Sequence, residues 1–477
     1  MNEARASICK GIWDTCNALR GAVDGWEFKN YVLGAMFYRY LSEHMGTKVL
    51  PASELFANVE AEADGNPKLA ETLRDVFLHI EQADAAFKGL LNDFDFESSK
   101  LGSNPARRNE RLARLLHGIA GMELSADGSI DAFGDAYEYL MTMYASSAGK
   151  SGGEFFTPLE VSELLAKVGT IGRADVRKVY DPSCGSGSLL LSARRVLGET
   201  EASFYGQDIN ATTYNLCRIN MMLHGVPFDR FNIACEDTLT APQHWQDQPF
   251  DLIVSNPPYS VRWAGTDRAE LTKDPRFAPA GVLAPKSKAD MAFLMHCIAW
   301  LAPHGTAAIV CFPGILYRGG AELTIRKHLV EHNYVDGIIQ LPSNLFFNTS
   351  ISTVIVVLKK DKADTDILFI DASKEFVGQK KQNVLSADNI EHIVSLYAER
   401  KEVPYVAHVA ELSEVRGNDW NLSVSSYVQP EETREKIDIV KLNAEIKELE
   451  ARNQRAREKL DALVEEIEAM FREGGRE

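Results

Sequence analysis

The feature that most narrows what this chain can fold into is an alternation between residues 159 and 358, in which short apolar runs are separated by helical spacings. The runs at 179–181, 204–209, 231–235, 250–254, 306–312, 335–341 and 353–358 are too short for helices and are rich in β-branched and aromatic residues; another follows at 367–370. Helical spacing appears at Val161, Leu164, Leu165 and Val168, and again over 289–301. Strand–helix alternation of this length predicts a doubly wound, mostly parallel sheet. In such an open sheet, ligands gather outside the carboxyl ends of the strands. The residues that close each run are therefore the place to look for chemistry.

The run at 250–254 closes in Ser255-Asn256-Pro257-Pro258-Tyr259. Two prolines cannot continue a ladder. The Asn256 side-chain carbonyl and the Pro257 backbone carbonyl can both accept from a flat amino group, and the Tyr259 ring offers a stacking surface. Such a corner can hold an –NH2 nitrogen with its lone pair toward an electrophile, although Pro-Pro also serves simply to end a strand in a turn. The run at 179–181 closes in Asp181 and leads through Gly185, Ser186 and Gly187 into a helix. Glycines there allow close approach of a ligand, and the helix start offers free N–H groups to a carboxylate. Asp208 closes the next run, where an acid can hold two ribose hydroxyls or cap the following helix. Asp237 follows the third run, placed to meet an adenine amino group. Ahead of all these lies Glu154-Phe155-Phe156-Thr157-Pro158-Leu159. Thr157 with Pro158 reads as a helix entry, hydroxyl cap then proline, and Phe156 can cover a ligand ring.

Residues 1–148 read as a helical N-terminal domain, and a small-residue linker at 145–153 suggests a boundary to a second domain over 149–430. Gly149-Lys150-Ser151 lacks the leading glycine of a phosphate-binding loop and is not read as one. The stretch 261–288 reads as a long irregular loop carrying Arg262, Arg268, Lys273, Arg276, Lys286 and Lys288, either a functional loop or a solvated basic surface. From 439 to 470, Leu442, Ile446, Leu449, Asn453, Ala456, Leu460, Leu463, Ile467 and Met470 make a heptad seam with one polar core position. This C-terminal helix, 431–477, needs something to pack on. Seven scattered cysteines and no C-x-x-C pair point to reduced thiols in a cytoplasm and to no metal site. No run approaches membrane-spanning length, and Met1-Asn2-Glu3-Ala4-Arg5 does not begin a signal peptide. A formal net charge of −17 means that a polyanionic substrate would have to be gripped by a local patch or by a partner.

Asp-Pro-x-x-Gly-x-Gly, the ribose acid and Asn-Pro-Pro-Tyr, in that order, resemble amino-methyltransferases that use S-adenosylmethionine. With Phe-Phe-Thr-Pro ahead of the glycine turn, the order is similar to that of the N6-adenine DNA methyltransferases of the gamma arrangement. Leu19-Arg20-Gly21, Trp26-Glu27-Phe28-Lys29, Tyr38-Arg39-Tyr40-Leu41-Ser42, Pro285-Lys286-Ser287-Lys288-Ala289-Asp290, Arg318-Gly319-Gly320-Ala321-Glu322 and Leu341-Pro342-Ser343-Asn344-Leu345-Phe346 extend the resemblance to the modification subunit of type I restriction–modification systems. The resemblance implies a Rossmann-like methyltransferase fold, followed by a coiled-coil-like helix that docks a partner. It implies that residues 154–159 and Gly185 to Gly187 bind the cofactor's methionine end, Asp208 its ribose and Asp237 its adenine, with Asp181 also among the cofactor-binding residues. Asn256, Pro257, Pro258 and Tyr259 would form the catalytic corner for an adenine flipped out of DNA. It further implies a separate specificity subunit, a second copy of this chain and, in a full system, a restriction subunit. The departures are Tyr259 where many members carry Phe, and Ser188 where many carry Gly. Two other readings stay open at this level: a glutamine N5 protein methyltransferase and a catalytically silent scaffold.

Overall fold

A computed structural model describes residues 10–15, 25–92, 94–122, 124, 132–145, 157–173, 175–198, 201–346, 350–380, 382–431 and 438–473. The apolar runs become strands β1 (Lys178–Asp181), β2 (Ser203–Asp208), β3 (Phe231–Cys235), β4 (Phe250–Ser255), β5 (Leu301–Cys311), β6 (Val335–Gln340), β7 (Val354–Lys359) and β8 (Ile367–Asp371). A small hairpin, β9 (Val377–Gly378) with β10 (Asn383–Val384), and a last strand β11 (Ala407–Ala410) lie beyond the runs identified from sequence. The main sheet has the order β11-β8-β6-β7-β5-β4-β1-β2-β3. Pairing is parallel except for β7, which runs antiparallel to both β5 and β6, and β11, antiparallel to β8. The expectation of a mostly parallel, doubly wound sheet therefore holds.

Strand β1 lies between β4 and β2, with Tyr180 opposite Ile253 on one side and Asp181 opposite Gly206 on the other. The chain winds outward from β1 through β2 to β3, then returns across β1 to β4. That reversal is the topological switch point, where an open sheet leaves a crevice.

Side chains alternate across the sheet as a period of two requires. Val179, Leu252, Val254, Ala308 and Ile339 join one core with the helices Leu159–Thr170 and Ser188–Leu197. Tyr180, Ile253, Ala307, Ile309 and Ile338 join another core with the helices Asp290–Trp300 and Ala321–Glu331. Burial on both faces explains why the strands read as continuous apolar runs.

The N-terminal region is helical, with Gly25–His44, Phe56–Ala61, Leu69–Ala83, Pro105–Ala120 and Ala132–Ala145 among the described residues. Its core includes Leu216, Ile219, Met222 and Leu223 from the helix Ala211–Leu223 that follows β2. The Tyr137 hydroxyl donates to the Leu216 carbonyl at 3.1 Å, and Asn215 Nδ2 donates to the Gly89 carbonyl at 3.0 Å. These helices are thus built onto the sheet domain through its own helix. By compactness the chain divides into Met1–Gln429 and Pro430–Glu477. Among the described residues the second unit contains one helix, Ile439–Glu473, of 35 residues. Along its heptad seam Leu442, Ile446, Leu449, Leu460, Leu463 and Ile467 are each about half exposed or more.

The stretch 261–288 is not irregular. It folds into short helical turns at Gly265–Asp267, Ala269–Lys273 and Ala278–Ala280, with Trp263, Leu271, Phe277, Leu283 and Ala284 buried. Arg276, counted with the basic stretch, is 2 % exposed. Its guanidinium donates to the carbonyls of Thr238 (2.8 Å) and Leu239 (2.9 Å) and pairs with Asp274 at 2.7 Å. Neither a functional loop nor a solvated basic surface describes Arg276, because in sequence a buried arginine and an exposed one look alike until their partners are known. Arg262, Arg268 and Lys273 are exposed, and Lys286 pairs with Asp267.

Candidate active site

Asp181 ends β1 and Ser255 ends β4, on opposite sides of the switch-point crevice. Both are fully buried. The Ser255 hydroxyl donates to Asp181 Oδ1 at 2.8 Å and lies 2.9 Å from the Ser183 hydroxyl; the Ser183 amide also donates to Oδ1, at 3.0 Å. The other carboxylate oxygen, Oδ2, is buried and accepts no hydrogen bond among the described residues. The Ser186 hydroxyl in the same turn is likewise buried and unpartnered there. Burial pushes the Asp181 carboxyl up to about 7, against the hydrogen bonds from Ser183 and Ser255 that favour its charge.

The glycine turn that follows needs its glycines. Gly185 has φ +52° and Gly187 φ +83°, and a Cβ on Gly187 would sit 2.8 Å from Cys217 Sγ. Asp208, at the end of β2, accepts from the Gly185 amide through Oδ2 at 3.0 Å. Its Oδ1 accepts from the Asn210 amide (2.9 Å) and the Thr213 hydroxyl (2.7 Å). It does not cap the next helix: Asn210 does, accepting from the amides of Thr212 and Thr213. Asp208 instead ties the glycine turn to the end of β2 while remaining partly exposed. Asp237 accepts from the Leu239 amide at 3.0 Å and the Thr240 hydroxyl at 2.6 Å. The adjacent Thr238 hydroxyl donates to the Pro182 carbonyl at 2.6 Å. Asp181, Gly185, Ser186, Gly187, Asp208 and Asp237 therefore lie along one carboxyl edge of the sheet, as the sequence suggested.

At the end of β4, Asn256 Nδ2 donates to the Thr157 hydroxyl at 3.0 Å, and the Tyr259 hydroxyl donates to Asn256 Oδ1 at 2.6 Å. Thr157 was expected to cap a helix with its hydroxyl. The helix Leu159–Thr170 is entered at Pro158 with no side-chain cap, and Thr157 turns to the asparagine instead. The corner has two supports that sequence reasoning missed. Ser260 adopts φ +51°, and its amide donates to both carboxylate oxygens of the buried Asp290, at 3.2 and 3.1 Å. Phe346 meets the Tyr259 ring edge-on, centroids 6.4 Å apart. Both lie in segments noted for resemblance, Pro285–Asp290 and Leu341–Phe346, but nothing in a linear sequence says which corner they brace. Glu154, Phe155 and Phe156 lie outside the described residues, as do Gly149-Lys150-Ser151 and Leu19-Arg20-Gly21.

Comparison with known proteins gives this edge its setting. Residues 128–436 match the N-6 DNA Methylase family, and residues 8–119 match the HsdM N-terminal domain. The chain is 45% identical to the methylase subunit of the type I restriction enzyme MpnII of Mycoplasma pneumoniae, over 98% of each chain. This chain belongs to the type I methylase subunits of the N-6 DNA methylase family. The methylase subunit of the type I restriction enzyme MjaVII of Methanocaldococcus jannaschii is 34% identical, over 76% of this chain and 63% of that one. The crystal structure of the type I restriction–modification methyltransferase subunit of Streptococcus thermophilus superposes with a TM-score of 0.84 at 35% identity, covering 89% of this chain and all of that one.

Membership of the N-6 DNA methylases makes the chain an adenine-specific DNA methyltransferase with S-adenosylmethionine as its cofactor, and sets aside the glutamine alternative. The residues at the crevice fit that cofactor. A buried carboxylate oxygen without a donor, Asp181 Oδ2, is costly to leave bare and suits an α-ammonium group. The partly exposed Asp208 keeps lone pairs for ribose hydroxyls beyond those its three donors occupy. Among the described residues no helix is long and apolar enough to cross a membrane.

Proposed function

We propose that this chain is the catalytic subunit of a type I modification complex, in which Asn256, Pro257 and Tyr259 receive an adenine flipped out of DNA beside a cofactor held by Asp181, Gly185 to Gly187, Asp208 and Asp237. The segment 154–159, apart from the Thr157 side chain, completes the cofactor's methionine subsite. One observation carries this reading. Asp181 and the Asn256 corner are joined through Ser255, so the acid suited to the cofactor and the acceptor suited to an amine share one crevice.

S-adenosylmethionine, when bound, supplies an electrophilic methyl group on its sulfonium. The chain's own residues must do the rest. An adenine amino group is a weak nucleophile because its lone pair is delocalised into the ring. Asn256 Oδ1 and the Pro257 carbonyl accept its two N–H bonds, which favours a more pyramidal nitrogen and aims its lone pair. Pro257 and Pro258 shape a rigid turn that presents acceptors, and Tyr259 offers its ring to the base. The rate gain comes from orientation and from acceptors placed where positive charge develops on nitrogen. No dedicated base is required, because the methylated ammonium is acidic enough to lose its proton to water. A base within a duplex cannot reach such a corner, so it must leave the stack. Sequence choice falls to a specificity subunit, with a second copy of this chain in the complex; a restriction subunit belongs to the full system.

The test is Asn256→Ala in a complex reconstituted with the specificity subunit. Methyl transfer from radiolabelled cofactor to cognate DNA should fall by about a hundred- to a thousandfold, as losing an oriented polar group in an active site does. Calorimetric affinity for S-adenosylmethionine should change less than about twofold. Equal loss of both would give Asn256 a structural role, and wild-type turnover would refute the mechanism.

A further inference from the structure

We infer that Thr157 and Tyr259 act as a two-sided clamp on the Asn256 amide, making the Thr157 side chain a positioning residue for catalysis and not a ligand of the cofactor. The inference rests on the methyl-transfer reading above. An asparagine amide turns about its last torsion in a broad, roughly two-fold potential, so an unsupported Asn256 could present either oxygen or –NH2 to an incoming amine. The second choice sets donor against donor. Here both ends of the amide are held, Nδ2 on the Thr157 hydroxyl at 3.0 Å and Oδ1 under the Tyr259 hydroxyl at 2.6 Å. Thr157 is 6 % exposed, which shields its bond from competing water.

The identities of the two hydroxyls also choose between the two flips. A phenol is a better donor and a poorer acceptor than an aliphatic alcohol, because its oxygen lone pair is drawn into the ring. The arrangement that places the phenol on the carbonyl oxygen and the alcohol on the –NH2 is therefore the favoured one. Burial holds the Tyr259 hydroxyl well above its ordinary pKa, so it remains a neutral donor. A carbonyl oxygen has two acceptor sites; Tyr259 occupies one and leaves the other for the target amine. Tyr259 thus has two separable parts, a ring that faces the base and a hydroxyl that acts through Asn256. A Phe at this position would keep the first and lose the second.

The experiment uses the full chain with its specificity subunit and measures kcat, KM for cognate DNA and Kd for S-adenosylmethionine. Thr157→Val should lower kcat about tenfold, Thr157→Ser should recover most of that loss, and Tyr259→Phe should lower kcat about three- to tenfold. In all three, Kd for the cofactor and KM for DNA should stay within about twofold of wild type. A Thr157→Val loss that appears in cofactor Kd with kcat intact would return Thr157 to the cofactor site and overturn the clamp. Wild-type kcat in Tyr259→Phe and Thr157→Val would overturn it as well. If Thr157→Val fails to fold, Tyr259→Phe and Thr157→Ser decide by the same measurements. An inactive wild-type complex would instead refute the parent reading, a result that none of the variant comparisons can mimic.

Discussion

Asp181 is a fully buried acid whose environment is far from that of water. Its carboxyl is pushed up to about 7 by burial, well above the value of an unfolded chain. The folded state therefore holds the proton longer than the unfolded state does. The stability this contributes is fully present below about pH 4 and is lost as pH rises toward about 7. Melting temperature of the cofactor-free protein should accordingly fall between pH 5 and pH 8, and by less in Asp181→Asn, as differential scanning fluorimetry would register. Cofactor binding carries the opposite sign. An α-ammonium group favours the carboxylate, so affinity should rise with pH to about 7 and fall again above about 8, where a free α-amino group loses its own proton. Calorimetry in buffers of different ionisation enthalpy should find proton release near pH 6.5. A flat affinity profile with no proton release would remove Asp181 from the ammonium site.

Among the elements, the segment after the catalytic corner shows how a loop becomes a support. Arg276 reaches from it to the Thr238 and Leu239 carbonyls that follow β3, and its NH1 lies 3.2 Å from His296 Nδ1 in the helix Asp290–Trp300. That imidazole is pushed well below its ordinary pKa, by burial first and by Arg276 next, so it stays neutral and can accept from the guanidinium. Arg276→Ala would leave the two carbonyls without this donor and the Asp274 carboxylate with the backbone amide of residue 276 but no guanidinium. The expected loss is about 3–5 kcal/mol, read as a lower urea midpoint. The exposed Arg262→Ala should move stability by less than about 0.5 kcal/mol. If the two variants unfold alike, the segment is not anchored through Arg276.

Over the whole molecule, the charge and the C-terminal helix point the same way. At −17 the chain meets net repulsion from duplex DNA outside any local basic patch. A seam with Leu449 57%, Leu460 61% and Leu463 55% exposed is an unusual stripe to leave in water. The proposed partner is the specificity subunit, with Asn453 fixing register more than adding stability. Deleting residues 431–477 should leave a protein that binds S-adenosylmethionine but co-purifies poorly with that subunit and fails to methylate DNA when it is added. Normal assembly by the truncated chain would rule the helix out as the docking element, and precipitation would assign it to the chain's own core.

Local sequence was enough to determine the elements and their ends. Strand runs buried on both faces are continuous and apolar, and a ligand-facing turn between strand and helix must use glycine at positive φ, so β1 to β8, Gly185 and Gly187 are visible one residue at a time. The acids at the strand ends and the Asn256 corner follow, because an open sheet puts its site at those ends. Tertiary structure alone decided the partners. Thr157 precedes Asn256 by 99 residues, and its hydroxyl is a helix cap by local rules until that contact gives it another acceptor role. Asp208 was equally able to cap a helix, and Asn210 took that place through the geometry of the turn. Arg276 looked like its exposed neighbours, and Asp290 and Phe346 carried no local sign of the corner they support. A side-chain hydrogen bond between distant residues leaves no period in the sequence, and the same donor is compatible with many acceptors. Only the fold, by bringing one acceptor within 3 Å and excluding water, selects among them.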